Sequence, residues 1–367
     1  MRLHTVKLAT ALVVTALAGS TGAAGDAMAQ SSVTIFGLID VGVVRESGGA
    51  AGAVTRITSG MSNGSRLGFK GVEDLGHGWS ALFMLESGFQ LDDGTLGQGG
   101  ALFGRQSYMG VRAPIGTLTF GRQYTSHFDT IVLADPFGSG LVADAKNLMP
   151  STGDASTRST NSIKYTAPSG PAMHGASVEL MAAAGEVAGN NKAGAQWGGA
   201  LGYTGGRWTL RLGHHYRNSD TAQVRRGSGR SILLAAVYNA GPFKAHFGYG
   251  IDRGFNSSAL RNPGNPYGYP VQPVASTDST DQLMGISIPD GRNLWLASWV
   301  RKDDRTGRNQ DARQVSVGHR YTLSKRTDTY VALAHISNRN GASYTTGNAS
   351  EVGTGNRAVS AGVRHQF

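Results

Sequence analysis

The stretch RWTLRLGHHYR, residues Arg207–Arg217, alternates two kinds of side chain. Trp208, Leu210, Leu212, His214 and Tyr216 share one parity; Arg207, Thr209, Arg211, Gly213, His215 and Arg217 share the other. A period of two means extended backbone, because successive side chains of a strand point to opposite faces. The pattern returns in GSRLGFKGV (Gly64–Val72), where Arg66, Gly68 and Lys70 oppose Leu67 and Phe69. It returns again in QWGGALGYT (Gln196–Thr204), PFKAHFGYGID (Pro242–Asp252), RQVSVGHRYTL (Arg313–Leu323) and the terminal AVSAGVRHQF (Ala358–Phe367). Sixteen such segments begin near positions 33, 64, 79, 102, 117, 158, 176, 196, 207, 231, 243, 281, 293, 312, 327 and 357.

The connections between them alternate in length. Short ones carry turn chemistry: EDLGHG, APIG, TGG, NAG, PDG and SKR. Long ones are rich in Gly, Ser, Asn and Thr, such as RESGGAAGAVTRITSGMSN and the stretch that opens RQYTSHFDTIVLADPFGSG. A sandwich or propeller has no reason to keep alternate connections short, whereas an outer-membrane barrel puts tight turns on one side and long loops on the other. The expected fold is all-β, a sixteen-stranded antiparallel transmembrane β-barrel. Its apolar parity faces lipid and its polar parity faces a water-filled interior, since a barrel this wide keeps a channel.

Composition agrees. Residues 1–29 join a basic opening, MRLHTVK, to the apolar run LATALVVTALAG and a small-residue AMA, which reads as a secretory signal cut after Ala29. Residues 30–367 are then the barrel. No apolar run after Ala29 is long enough for a spanning helix. The chain has no cysteine, which excludes disulfides and thiolate metal sites, and it holds 54 glycines. The net charge is +10, and removing Arg2, Lys7 and Asp26 leaves +9. Such a balance suits nucleic acid, an anionic membrane surface or anionic solutes; export argues against nucleic acid.

On the polar parity, Arg66, Lys70, Arg158, Lys164, Arg207, Arg211, Lys244, Arg320 and Arg364 outnumber Asp40, Glu86, Glu179 and Asp252. An anion-preferring pore follows, because like charges at a narrow place select the ions that enter. His214–His215 is no metal site, since strand neighbours point to opposite faces. Ser126–His127 is a tempting pair for an outer-membrane hydrolase, but adjacency in sequence is not a catalytic geometry. No enzyme, metal or cofactor is expected. The stronger rival is a substrate-specific channel for anionic solutes, kept open by Arg207, Arg211 and Arg217 on one face.

Longer stretches carry a family likeness: AQSSVTIFGLIDVGV, SRLGFKGVEDLGHG, LFMLESGFQLDDG, FGRQSYMGVRAPIGTLTFGRQYT, DPFGSG, NSIKYTAPS and AGVRHQF. Spread over the whole chain, they resemble the general-diffusion porins of Gram-negative outer membranes, particularly the β-proteobacterial branch. The resemblance implies a homotrimer in outer-membrane lipid and lipopolysaccharide, passing small ions and hydrophilic solutes, with the third long loop folded into the lumen. It places a basic wall at Arg66, Arg105, Arg122 and Arg158 opposite an acidic loop carrying Asp129 and Asp135. It also makes Phe367 the signal read by the barrel-assembly machinery.

Overall fold

The computed structural model describes residues 32–150, 157–168 and 173–367. The proposed signal segment lies outside them. The strands are β1 Ser32–Ser47, β2 Val54–Ser59, β3 Arg66–Gly76, β4 Trp79–Gly88, β5 Gln106–Ala113, β6 Gly116–Tyr124, β7 Arg158–Thr166, β8 Ala176–Ala183, β9 Gln196–Gly205, β10 Trp208–Asn218, β11 Ser228–Asn239, β12 Lys244–Ser258, β13 Ser276–Asp290, β14 Asn293–Asp304, β15 Ala312–Thr322, β16 Thr327–Asn338 and β17 Arg357–Gln366. Helix α1 is Ser126–Ala134.

From β3 onward each strand pairs antiparallel with the next, and β17 returns to β1 from Leu38↔Gln366 to Ser47↔Arg357. Both β2 and β3 lie against β1, β2 along Val41–Glu46 and β3 along Ser32–Leu38. They are two halves of one barrel strand, so the barrel closes with sixteen. The break between them is held by Asp40, whose Oδ2 accepts from the backbone N–H of Ser62 at 3.0 Å and of Asn63 at 2.9 Å. Sequence reading put 54–59 inside the first long loop; the structure makes it strand. The fourth barrel strand starts at Gln106 rather than near 102, and the twelfth at Ser276 rather than near 281.

Closure is compulsory because an open strand edge finds no partner in hydrocarbon. The seam ends on a reciprocal pair: the N–H of Gly37 donates to the Phe367 carbonyl and the N–H of Phe367 to the Gly37 carbonyl, both at 3.1 Å. The Phe367 ring lies over Gly37, where a Cβ would sit 2.2 Å from its Cζ. Glycine therefore makes room for the terminal ring.

The two parities behave inversely to those of a soluble protein. On β15, Val315 and Val317 are 56% and 49% exposed while Gln314 and Ser316 are buried. Leu333 on β16, Trp295 on β14 and Leu234 on β11 are likewise outside. An apolar outer wall of this extent is stable only in lipid.

The described part of the connection from β6 to β7, residues 125–150, packs against strands distant in the chain. Thr125 caps α1, its Oγ1 accepting from the Phe128 N–H at 3.2 Å, and Asp129 sits in the first turn where the helix dipole favours an acid. The polar-parity face it meets is cleared by glycine. A Cβ at Gly213 would lie 2.4 Å from Thr130, and one at Gly318 would lie 2.7 Å from Phe137. Beyond the helix, Leu141, Val142 and Ala143 bury with Leu296, Ala332 and Ala334. Gln314 closes the contact by donating to the Ala143 carbonyl at 2.9 Å and accepting from Asn147 at 3.0 Å. Among the described residues, apolar clusters lie between that connection and strands from β11 and β13 round to β17 and β1. The helix was not foreseen from sequence.

Candidate functional site

A cavity of about 660 Å³ lies between the wall formed by β3, β6 and β7 and the connection just described. On the wall, Glu86 is buried and its Oε1 accepts from Arg66 and from Arg105, each at 3.1 Å. Gln106 donates to its Oε2 at 2.9 Å. Arg105 reaches on to the Tyr124 hydroxyl at 2.7 Å, and Arg158 donates to the same oxygen at 3.1 Å. One buried carboxylate and one phenol thus hold three guanidinium groups that would otherwise repel one another.

An aromatic stack joins wall to connection. The Arg158 guanidinium lies 4.7 Å over the Tyr124 ring, Tyr124 stacks on Phe128 at 5.1 Å, and the Lys146 ammonium lies 5.5 Å from the far ring. Each cation is held by the electron-rich face of a ring. Lys146 also pairs with Asp144 at 3.4 Å, as does Arg261 at 3.0 Å. Arg261 comes from the β12–β13 connection and donates to Asn147 at 2.8 Å and to the Asn348 carbonyl, tying three connections together. Burial pulls the Lys146 ammonium below the ordinary lysine range, and Asp144 opposes that shift.

Among the described residues, the cavity is therefore lined by five cations (Arg66, Arg105, Lys146, Arg158 and Arg261) and one carboxylate, Asp129. Of the residues expected from sequence, Arg66, Arg105, Arg158 and Asp129 meet here. Arg122 does not line the cavity: it falls at a register shift in the β6–β7 ladder and its Nε donates to the Gly104 carbonyl at 2.6 Å. Asp135 does not line it either. Its carboxylate is turned into the connection, accepting from the N–H groups of Phe137 at 2.9 Å, Ser139 at 3.1 Å and Ala145 at 3.0 Å.

The remaining basic positions do not line the cavity. Lys164 and Arg211 converge on Glu179 at 3.3 and 2.8 Å; Arg211 also donates to Thr130, and Lys164 stands 3.5 Å from Asp129, so both anchor α1. Ser126 donates to that same Glu179 at 2.8 Å, not to His127. Arg320 donates to Ser62 at 3.0 Å and stands 3.5 Å from Asp328. Lys70 lies 5.5 Å over Phe36, and Arg207 and Lys244 sit at the short-turn end. His214 packs its ring on Trp197 at 4.7 Å while His215 is buried on the opposite face, as alternation requires.

Asp135 gives the connection a pH dependence. Burial, reinforced by Asp144, lifts its carboxyl from the ordinary 3.8 to about 7. Folding therefore favours the protonated form, whose stabilising contribution is complete below the ordinary carboxylate pKa and lost as pH rises through about 7. Single-channel current noise is expected to grow across that pH, and Asp135→Asn should flatten the dependence. A pH-independent wild-type trace would contradict this.

A closed antiparallel barrel with an apolar outside and a cation-lined interior cavity defines a channel-forming protein of the outer membrane. The chain belongs to the Gram-negative porin family, whose sequence profile matches residues 9–341. It is 29% identical to an outer membrane porin of Bordetella pertussis over 94% of this chain and 97% of that one. Its fold superposes on the anion-selective porin from Comamonas acidovorans with a TM-score of 0.75 at 24% identity, covering 92% of this chain and all of the other. It also superposes on the trimer form of OmpT from Vibrio cholerae with a TM-score of 0.64 at 15% identity, covering 92% and 99% of the two chains. The protein is an outer-membrane β-barrel of a Gram-negative bacterium and a general diffusion channel, not an enzyme.

Sequence reasoning missed Tyr124, Lys146 and Arg261. Tyr124 stood in the quoted FGRQYT stretch, two residues from Arg122, and parity counting in a strand with a register shift passed over it. Lys146 and Arg261 lie in long connections, where no periodicity marks a direction.

Proposed function

We propose that this porin prefers anions and works as a homotrimer, with the β6–β7 connection lying in the lumen as its constriction. The excess of five cations over one carboxylate around the cavity carries the reading. In a low-dielectric passage such an excess raises the local concentration of anions and repels cations. The opposing acidic loop expected from sequence has little support: Asp129 reaches the cavity, Asp135 and Asp144 are buried, and Lys146 adds a cation from that side. The zero-current potential in a salt gradient across a planar bilayer tests the preference. Its sign should report anions as the more permeant species; the opposite sign would overturn the reading. Conductance that saturates at low phosphate or dicarboxylate concentration would favour a substrate-specific channel instead.

Residues 1–29 are taken to be removed on export. Phe367 is the assembly signal as well as the clasp on Gly37, so deleting it should cut the yield of folded, heat-modifiable trimer severely. Normal yield would remove Phe367 from that role.

A further inference from the structure

Lys146 differs in chemistry from the other cations of the cavity. A guanidinium stays charged and inert, whereas a lysine that sheds its proton is a nucleophile. The short turn Ala145–Asn147 carries it, and Asp144 caps that turn, its Oδ1 accepting from the Lys146 N–H at 2.9 Å. The Lys146 side chain lines the cavity with Nζ 3.4 Å from Asp144 Oδ2. Asp144 is itself fully buried, fixed by Arg261 at 3.0 Å and by the Ser139 hydroxyl, which donates to Oδ1 at 3.1 Å. Burial favours the neutral amine of Lys146, as do the charges of Arg261 and Arg158, while Asp144 opposes them. Lysines that are desolvated and set beside other cations are activated in this way. Among the described residues no other lysine lines the cavity. Lys302 is sealed in the wall, Lys164 is held between Asp129 and Glu179, and Lys192 and Lys325 are exposed.

We propose that Lys146 reversibly captures phosphorylated aldehydes as an imine, with their phosphate on the guanidinium groups of Arg66, Arg105 and Arg158. This rests on the anion-preferring reading above. Lys146 first gives a proton to Asp144, the carboxylate beside it. The nitrogen then adds to the carbonyl carbon, a C–N bond forming as the carbonyl π bond breaks. The aldehyde oxygen leaves as water with the two remaining amine hydrogens, and hydrolysis reverses the step. No oxidant or reductant is needed. Charge selects the class, because guanidinium groups hold a phosphate in charge-assisted hydrogen bonds that a neutral aldehyde cannot make. About 660 Å³ is room for a solute built on one aromatic ring. A captured solute blocks the passage until water releases it.

The test treats folded wild-type porin in detergent with pyridoxal phosphate or with uncharged pyridine-4-carbaldehyde, fixes any imine with borohydride, and maps the labelled lysines by mass spectrometry. Exposed Lys192 and Lys325 are the internal references. Relative to them, labelling of Lys146 should be about tenfold greater with the phosphorylated aldehyde than with the uncharged one. In a planar bilayer without borohydride, pyridoxal phosphate should reduce the current slowly and the current should recover on washout. K146R keeps the cation and removes the nucleophile, so adduct and slow block should both vanish. Label confined to Lys192 and Lys325, equal relative labelling by the two aldehydes, or a slow block that persists in K146R would overturn the proposal. The zero-current potential of unlabelled wild type reports the anion preference separately. The wrong sign there fails the underlying reading; the right sign with Lys146 unlabelled fails this inference alone.

Discussion

Channels of the double variant R158E/K146E are expected to lose their anion preference, with a zero-current potential near zero in a salt gradient. The two residues cap the Arg158–Tyr124–Phe128–Lys146 stack, one on the wall and one on the connection. Five cations against one carboxylate give the described lining a formal balance of +4, and two reversals bring it to zero. Lys146→Glu sets a carboxylate beside buried Asp144, and Arg261 is left to offset it. Arg105 remains on the Tyr124 hydroxyl, and Arg261 remains on Asp144 at 3.0 Å. Reversing Arg66, which parity alone made the first choice, tests the wall side only. It would set a second carboxylate against buried Glu86 and disturb the wall along with the selectivity. An unchanged potential in R158E/K146E would remove this cavity from the filter.

The largest loss of stability is expected from Lys302→Met. Lys302 on β14 is fully buried, 2.7 Å from Asp281 on β13 and 4.0 Å from Asp252 on β12, and donates to Ser279 at 3.2 Å. One ammonium serves two carboxylates that also have no exposure to water. Removing one partner of a buried ion pair costs about 3–5 kcal/mol, because the charge left behind keeps its desolvation without its partner. The barrel should therefore unfold at markedly lower urea concentration, followed by heat-modifiable gel mobility. Pairing the change with Asp281→Asn should recover part of the loss. A Lys302→Met barrel as resistant as wild type would show that the cluster contributes nothing.

Strand positions were legible because alternation is local. Trp208 to Arg217 announces both a strand and its two faces, and nothing distant can change that parity. The facing of Arg66, Arg211 and Arg364 followed from it. What sequence could not show depends on where the β6–β7 connection goes. Pro136 and Phe137 fit against Gly285 and Gly318, residues far apart in the chain, and that match has no period. The same crossing decides that Lys146 faces the cavity while Asp135 turns inward to three backbone N–H groups. The helix had a local signal, Thr125 followed by Asp129 at the first turn, hidden in a stretch read as loop. The break at 60–65 had none, since it depends on Asp40 reaching across from β1.

The central claim is that the apolar parity is bathed in acyl chains and the polar parity in water. The chain has no cysteine, so single cysteines can be placed at will. Nitroxide labels at Trp208, Thr209, Leu210, Arg211 and Leu212 of β10, in protein reconstituted into lipid, should alternate. Dissolved oxygen should collide most at 208, 210 and 212, and a water-soluble nickel chelate most at 209 and 211. Chelate access at all five positions, or low access to both reagents at 208, 210 and 212, would contradict the account.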